Sequence, residues 1–258
     1  MTVDGWLTAL DERHLADLTP SEVTRALRAL SSCYVERRDK LARGGALDGA
    51  GKRAAFALFY GPQHFFLCRE IVRGLALELG PVRSIACTHV IDLGCGTGAA
   101  GAAVTLETGA ASVAGFDLNP WAVQEANWTY RALGLDGRAA KGNIAAVRIP
   151  APAGALVLAA YAVNELVSDA RDRLLETLRT AQASGASLLV VEPIARRVNL
   201  WWKGWADIFI AAGGRTDDWR FRVTLPQRQR TLAKAAGLGV QELTARSLYV
   251  GGRPRLSE

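Results

Sequence analysis

His89-Val90-Ile91-Asp92-Leu93-Gly94-Cys95-Gly96-Thr97-Gly98-Ala99-Ala100-Gly101 is an apolar run that passes directly into glycines at alternate positions. The β-branched residues and leucine at 90–93 suit a strand buried on both faces, as in a parallel sheet covered by helices. Gly94, Gly96 and Gly98 let the backbone turn tightly and approach a ligand with no Cβ in the way. The small residues Ala99 to Val104 continue as a helix able to press against the sheet. A ligand on this loop would then meet backbone N–H groups and a helix N-terminus.

A second strand ending in an acid follows at Ala114-Gly115-Phe116-Asp117-Leu118-Asn119-Pro120. An aspartate at the carboxyl end of the neighbouring strand can accept hydrogen bonds from both ribose hydroxyls of a nucleoside. Leu118 would lie against one adenine face, and Asn119 with Pro120 forms a helix start. Gly96 to Gly101 also spells the dinucleotide pattern G-x-G-x-x-G. In a dinucleotide site, however, the first glycine directly follows the strand, and here Gly94 and Cys95 hold that place. With Asp92 two residues ahead of Gly94 the pattern becomes D-x-G-x-G-x-G, which resembles motif I of class I S-adenosylmethionine (SAM)-dependent methyltransferases.

That resemblance implies a three-layer, Rossmann-like α/β sandwich around a mostly parallel seven-stranded sheet, in strand order 3-2-1-4-5-7-6. It implies SAM as cofactor, with Asp92, Gly94, Cys95, Gly96, Gly98, Asp117 and Leu118 as cofactor-binding candidates. Asp92 would receive the ammonium of the methionine moiety directly or through water. Asn143, at the end of the third strand, stands where this class often reads the adenine amino group. Ile144 and Ala160 join the cofactor-binding candidates at the ends of the third and fourth strands.

At 258 residues the chain is long enough for one full α/β core with an additional cap. The expected organisation is a helical cap over residues 1–85 and a SAM-binding domain over 86–258. No run approaches the ~20 apolar residues of a membrane-spanning helix, so no membrane partner is expected. The stretch Met1 to Glu12 lacks the pattern of a secretory signal, which makes the cytoplasm the expected compartment. Cys33, Cys68, Cys87 and Cys95 show no C-x-x-C spacing and the three histidines are scattered, so no metal is expected. Charge is uneven. Residues 195–258 carry 12 Lys+Arg against 5 Asp+Glu, while the remainder carries 19 against 20. A basic C-terminal quarter is either a footprint for RNA or an arginine-rich solvated surface.

Taken in order, Thr19-Pro20-Ser21-Glu22 is a capping box, followed by Val23, Leu27, Leu30 and Tyr34 at helical spacing. The glycine-rich stretch Ala42 to Gly51 is an expected exposed loop. Phe56, Phe59, Tyr60, His64, Phe65 and Phe66 crowd the next segment, interrupted by Gly61-Pro62. This cluster either closes over a substrate or packs a helix on the sheet, and His64 is a general base only if it faces the methyl group. A helix is expected over Pro120 to Leu133, and a third strand over Arg138 to Ile144. Ala155 to Tyr161 is the fourth strand. In open α/β sheets ligands sit beyond the carboxyl ends of the strands, so Tyr161, Asn164 and Glu165 are the catalytic candidates on the acceptor side, unless Asn164 and Glu165 merely start a helix. They do not form the N-P-P-Y device that holds a planar amine.

A helix over Ser168 to Ala181 leads to a fifth strand, Ala186 to Pro193, with Glu192 at its carboxyl end. Trp201, Trp202, Trp205 and Phe209 mark a further helix. Asp218-Trp219-Arg220-Phe221-Arg222 alternates aromatic and basic residues, which either stacks nucleic-acid bases or packs as a tryptophan-rich lid. Leu225 to Leu238 reads as a helix, and Val240 to Val250 as the one clear late strand where the fold needs an antiparallel pair.

The chain from about Lys52 to Val250 also resembles the methyltransferase-like family that includes the mitochondrial small-ribosomal-subunit assembly factor. The similarity lies in the aromatic stretch Arg53 to Phe66, the loop Ile91 to Gly98, the segment Ala159-Ala160-Tyr161-Ala162-Val163-Asn164-Glu165-Leu166 and the strand end Val190-Val191-Glu192-Pro193. It implies a SAM fold that acts on, or only binds, small-subunit ribosomal RNA. The cysteine cluster expected for that family's iron–sulfur site is missing from this sequence. Three expectations stand together: methylation of RNA, methylation of a small molecule or protein side chain, and SAM binding without turnover.

Overall fold

The computed structural model describes residues 2–36, 47–80, 85, 87–146, 153–194, 200–239 and 242–252. Before the sheet come α1 (Val3–His14), α2 (Pro20–Glu36), α3 (Ala50–Ala55), a π-helical turn (Phe56–Tyr60) and α4 (Gly61–Leu79). Then follow β1 (His89–Leu93), α5 (Ala99–Thr108), β2 (Ser112–Asp117), α6 (Pro120–Ala132), β3 (Gly137–Lys141) and β4 (Ala155–Ala160). A short 3-10 turn (Val163–Glu165), α7 (Ser168–Ala183), β5 (Ser187–Glu192), α8 (Trp202–Ala211), β6 (Arg215–Phe221), α9 (Gln227–Ala236) and β7 (Leu243–Val250) complete the order.

The seven strands form one sheet in the order β3-β2-β1-β4-β5-β7-β6. The pairs from β3 across to β5 are parallel, and β7 runs antiparallel to both β5 and β6. This is the Rossmann-like three-layer sandwich that the sequence implied. Alternate residues of each strand feed two cores. Val90, Leu156, Leu158, Leu189 and Val191 pack with α4, α5, α6 and the helices ahead of them. Ile91, Val157, Ala159, Leu188 and Val190 pack with α7 and α8, where Trp202, Trp205 and Phe209 cover the opposite face. Among the described residues no helix is long and apolar enough to cross a membrane.

The local signals explain most element ends. Thr19 and Glu22 exchange hydrogen bonds as a capping box, with Glu22 Oε2 accepting the Thr19 N–H at 2.8 Å. Asn119 Oδ1 accepts the Trp121 and Ala122 N–H groups at the start of α6. Val23, Leu27 and Leu30 are fully buried, whereas the side chains of Cys33 and Tyr34 lie outside the described residues, as do residues 42–46 of the expected loop 42–51 and Val240. Trp6 and Leu10 of α1 belong to the same core as β1. Arg13 Nε and His14 Nε2 reach the fully buried Glu125 of α6 at 3.1 Å and 2.7 Å, which ties α1 to the sheet side of the molecule.

Three expectations are corrected. The third strand ends at Lys141 rather than Ile144, because Asn143 Oδ1 accepts the Ala145 N–H and bends the chain into a turn. The antiparallel pair is complete, and its missing member is the aromatic and basic run at 215–221. Arg215–Phe221 reads as polar because it is the edge strand, and charged side chains protect such an edge from pairing with another chain. Trp219 is not available to stack on bases. It is 8 % exposed, stacks on Phe221 and donates its indole N–H to Ser247 Oγ at 2.8 Å. A Cβ on Gly74 of α4 would stand 2.6 Å from its ring, so that glycine gives the indole its place.

Helix α5 comes close to β1 at Gly101, where an added Cβ would stand 2.5 Å from Asp92 Oδ2 and 3.0 Å from Asp92 Cβ. Overpacking of this kind costs about 1–3 kcal/mol. Gly101→Ala should therefore lower the urea midpoint by an amount of that size without changing the slope. An unchanged midpoint would show that α5 can move off the strand at no cost.

Candidate functional site

The glycine loop joins β1 to α5 through three left-handed residues, Gly94 (φ 72°), Gly96 (φ 52°) and Gly98 (φ 74°). Two of them are also sterically obligatory. A Cβ on Gly94 would lie 2.5 Å from Ala162 Cβ, and one on Gly98 would lie 2.8 Å from the Tyr130 ring. The N–H groups of Gly94 and Cys95 both donate to Phe116 O, at 2.8 Å and 3.1 Å, and that of Gly98 donates to Cys95 O. Gly96 N donates to Asp117 Oδ2 at 2.9 Å, and Gly101 N to Asp92 Oδ2 at 3.1 Å. The N–H groups of Gly94, Cys95, Gly96, Gly98 and Gly101 are thus taken up inside the protein. A pyrophosphate, which binds through convergent N–H groups, would meet two carboxylates here instead. The loop is built for a cationic or hydroxyl-bearing ligand.

Asp92 is 1 % exposed, and its Oδ1 has no hydrogen-bond partner. Burial pushes its pKa up to about 7; the Gly101 N–H opposes that shift and the Asp117 charge adds to it. Burial likewise raises Asp117, held back by the N–H groups of Asn119, Gly96 and Leu118. Asp117 Oδ1 accepts the Asn119 N–H at 2.8 Å and Oδ2 that of Gly96, so both oxygens are held by backbone donors while the carboxylate keeps acceptor capacity. Beside it Leu118 is 56 % exposed, an apolar surface suited to one face of a planar ring. Asn143 is exposed, with Nδ2 left over from its turn, while Ile144 is buried with its Cδ1 3.7 Å from a Cβ placed on Gly94. Cys95 turns its thiol inward, 2.9 Å from a Cβ placed on Gly115, and burial raises its pKa far above the usual range. Ala160 closes β4 as a buried residue.

Past β4 the chain reverses at Tyr161, which holds φ 59°, a conformation that costs a non-glycine residue of order 1–3 kcal/mol. Its N–H still donates to Val191 O at 2.8 Å, and its ring stacks on His64 of α4 with centroids 4.0 Å apart and planes 9° apart. Burial depresses the His64 imidazole to about 3. Held neutral in this way, it meets Tyr161 through a ring contact. Phe56 and Tyr60 complete the cluster around it. Phe56 also lies over the loop, 3.5 Å from a Cβ placed on Gly96.

The aromatic segment therefore both packs on the sheet and covers the loop. Asn164 and Glu165 lie in the 3-10 turn after Tyr161, with Asn164 bonded to Glu192 at the end of β5 and to Trp201. The sequence reading missed the π-helical turn and its support from α9, where Gln229 Nε2 donates to Leu58 O at 2.9 Å. Gly61-Pro62 inside an aromatic run is the only local hint of that irregularity.

Residues 90–185 match the family model described as methyltransferase domain. With this sheet order and loop, they form a methyltransferase domain of the class I fold, whose methyltransferases use SAM as cofactor. A stretch of 65 residues is 38 % identical to the ribosomal RNA small subunit methyltransferase C of Pseudomonas aeruginosa (strain LESB58), covering 25 % of this chain and 20 % of that protein. The chain thus spans about a fifth of the length of that relative. The crystal structure of the methyltransferase domain of bacterial CtHen1-C has the same fold, at TM-score 0.50 and 12 % identity over 74 % of this chain and all of that one. The N-methyltransferase NodS from Bradyrhizobium japonicum WM9, solved with S-adenosyl-L-homocysteine (SAH), aligns at TM-score 0.47 and 14 % identity over 72 % of this chain and 86 % of its own.

The chain's own chemistry fits this cofactor. The orphaned Asp92 oxygen is a ready partner for an ammonium or a water, and Asp117 has lone pairs left for hydroxyls. Charge-assisted hydrogen bonds contribute ~1.5–3 kcal/mol each. Asp117→Ala should then weaken SAH binding at least about tenfold, measured by calorimetry; an unchanged affinity would remove Asp117 from the site. Asp92 offers a pH test. Unfolded it titrates near 3.8 and folded near 7, so the native state without cofactor holds the extra proton between those values and loses stability as pH rises across that window. Asp92→Asn removes this dependence, so its urea midpoint should gain on wild type as the pH rises from 3.8 to 7 and no further above. Parallel pH profiles for the two proteins would show that Asp92 titrates normally.

Proposed function

We propose that the protein transfers the methyl group of SAM to RNA, with small-subunit ribosomal RNA as the first substrate to test. The transfer reaction is carried by one observation, the buried Asp92 and half-buried Asp117 flanking a glycine loop in which the N–H groups of Gly94, Cys95, Gly96 and Gly98 are already bonded. When bound, SAM supplies a methyl group on a positively charged sulfur, which needs little activation. Asp117 would hold the ribose hydroxyls, Leu118 the adenine face and Asn143 the adenine amino group. Asp92 would receive the ammonium, and Gly94, Cys95, Gly96 and Gly98 would line the cofactor with backbone. Tyr161, Asn164 and Glu165 would face the acceptor. The aromatic cluster of Phe56, Tyr60 and His64 keeps water away, so catalysis rests on orientation in a dry site.

RNA as acceptor is supported by the Pseudomonas relative, a ribosomal RNA methyltransferase, and by exposed cations on adjoining elements. Arg25 and Arg28 lie on α2, Arg230 and Lys234 on α9, and Arg220 and Arg222 on or next to β6. Helices α2 and α9 touch, with Arg28 donating to Ala235 O at the end of α9. A small-molecule acceptor has one observation in its favour, the aromatic cover drawn over the loop by Phe56.

Filter binding of ribosomal RNA fragments across a salt series separates the two. For an RNA enzyme, log affinity should fall linearly with log salt, and Arg222→Ala or Arg230→Ala should each flatten the slope by roughly 0.7–0.9 for one phosphate no longer neutralised. Trp219→Ala should unsettle the fold rather than change this slope. No binding at low salt would eliminate RNA and leave the small molecule.

A further inference from the structure

Glu192 ends β5 with a fully buried carboxylate. Its Oε1 accepts the backbone N–H of Asn164 at 3.1 Å, and its Oε2 accepts Asn164 Nδ2 at 2.6 Å. On the other side, Asn164 Oδ1 accepts the indole N–H of Trp201 at 2.8 Å. The oxygen and nitrogen of an amide are usually interchangeable in shape, but these neighbours leave no choice. A carboxylate accepts and an indole N–H only donates. Turning the amide over would set N–H against N–H and oxygen against oxygen in the same step.

An amide has two N–H bonds and two oxygen lone pairs, and one of each is used here. One N–H and one lone pair remain, in positions set by groups on two other elements, the end of β5 and the entry to α8. The turn at Tyr161 brings the backbone of Asn164 to the carboxylate, so side chain and main chain are held together. Resting on the reading that Asn164 faces the methyl acceptor, we propose that Glu192 and Trp201 are positioning residues that lock the Asn164 amide in one orientation and so decide which of its atoms meets the acceptor. Neither need touch the acceptor itself.

The test exchanges donors and acceptors along the chain of bonds. In full-length protein carrying 15N-labelled tryptophan, the Trp201 indole N–H signal is assigned by its loss in Trp201→Phe. Glu192→Gln sets a carboxamide N–H against Asn164 and should displace that signal, because the Asn164 amide can no longer satisfy both neighbours. Combining Glu192→Gln with Asn164→Asp restores a complementary chain, in which the new carboxylate accepts from both sides, and should return the signal toward its original position. An unmoved signal in Glu192→Gln, or one that stays displaced in the double variant, would overturn the proposal. If Glu192→Gln alone does not fold, recovery of folding in the double variant supports it and failure to recover overturns it. SAH titration of the wild-type protein is read separately. No SAH binding would remove the functional reading while leaving the amide lock intact, whereas SAH binding with an unmoved indole signal would remove only the lock.

Discussion

One carbonyl ties the site together. Phe116 O, at the end of β2, accepts the N–H groups of both Gly94 and Cys95, so the loop after β1 is pinned to its neighbouring strand before any ligand arrives. The next residue, Asp117, extends the same tie by bonding Gly96 N with one oxygen and Asn119 N with the other. The loop, the ribose acid and the start of α6 are therefore one unit. Preorganisation follows, because the left-handed glycines lose their conformational freedom on folding and need not lose it again on binding.

That rigidity concentrates unfavourable features at the carboxyl edge of the sheet. Asp92 keeps an oxygen with no partner, Tyr161 holds a left-handed backbone, and Glu192 is a buried acid. An unsatisfied buried polar group costs about 1–3 kcal/mol, and a left-handed tyrosine costs of similar order. Such features persist where the surrounding structure over-determines them, here through the two packed cores on either face of β1, β4 and β5. They sit together past the strand ends, where an open α/β sheet places its ligands.

The basic surplus of the C-terminal quarter divides on folding. Arg215 pairs with Asp217 and Glu78, Arg228 with Asp11, and Arg246 with Asp218 while lying over the Trp202 ring, so these charges serve the fold. Arg220 and Arg222 stay exposed and only loosely matched by Glu242, at 3.8 Å and 3.6 Å. Exposed pairs at such distances contribute little, which leaves these arginines open to a polyanion. Net charge alone does not separate the two groups.

Local chemistry was enough for the central strands, the glycine loop and the helix caps, because strand burial, left-handed turns and caps depend on residues near in sequence, whereas the sheet order came from the resemblance to class I methyltransferases. Asn119 as a cap and Thr19 with Glu22 as a capping box are of this kind. What needed the tertiary structure was every feature set by a distant partner. The N–H groups of Gly94, Cys95 and Gly96 look free in sequence and are bonded to β2. Cys95 looks like part of the ligand surface and turns toward Tyr130. Trp219 and its arginines read either as a stacking platform or as a packed lid and form an edge strand, where Gly74, far back in α4, leaves room for the indole. The orientation of Asn164 depends on Glu192 and Trp201 together, residues 28 and 37 positions away. Sequence by itself determined that Asp117 and Glu192 stand at the ends of the second and fifth strands; only the packed structure decided which of the hydrogen bonds at the strand ends remain for a ligand, since that depends on groups brought together by folding.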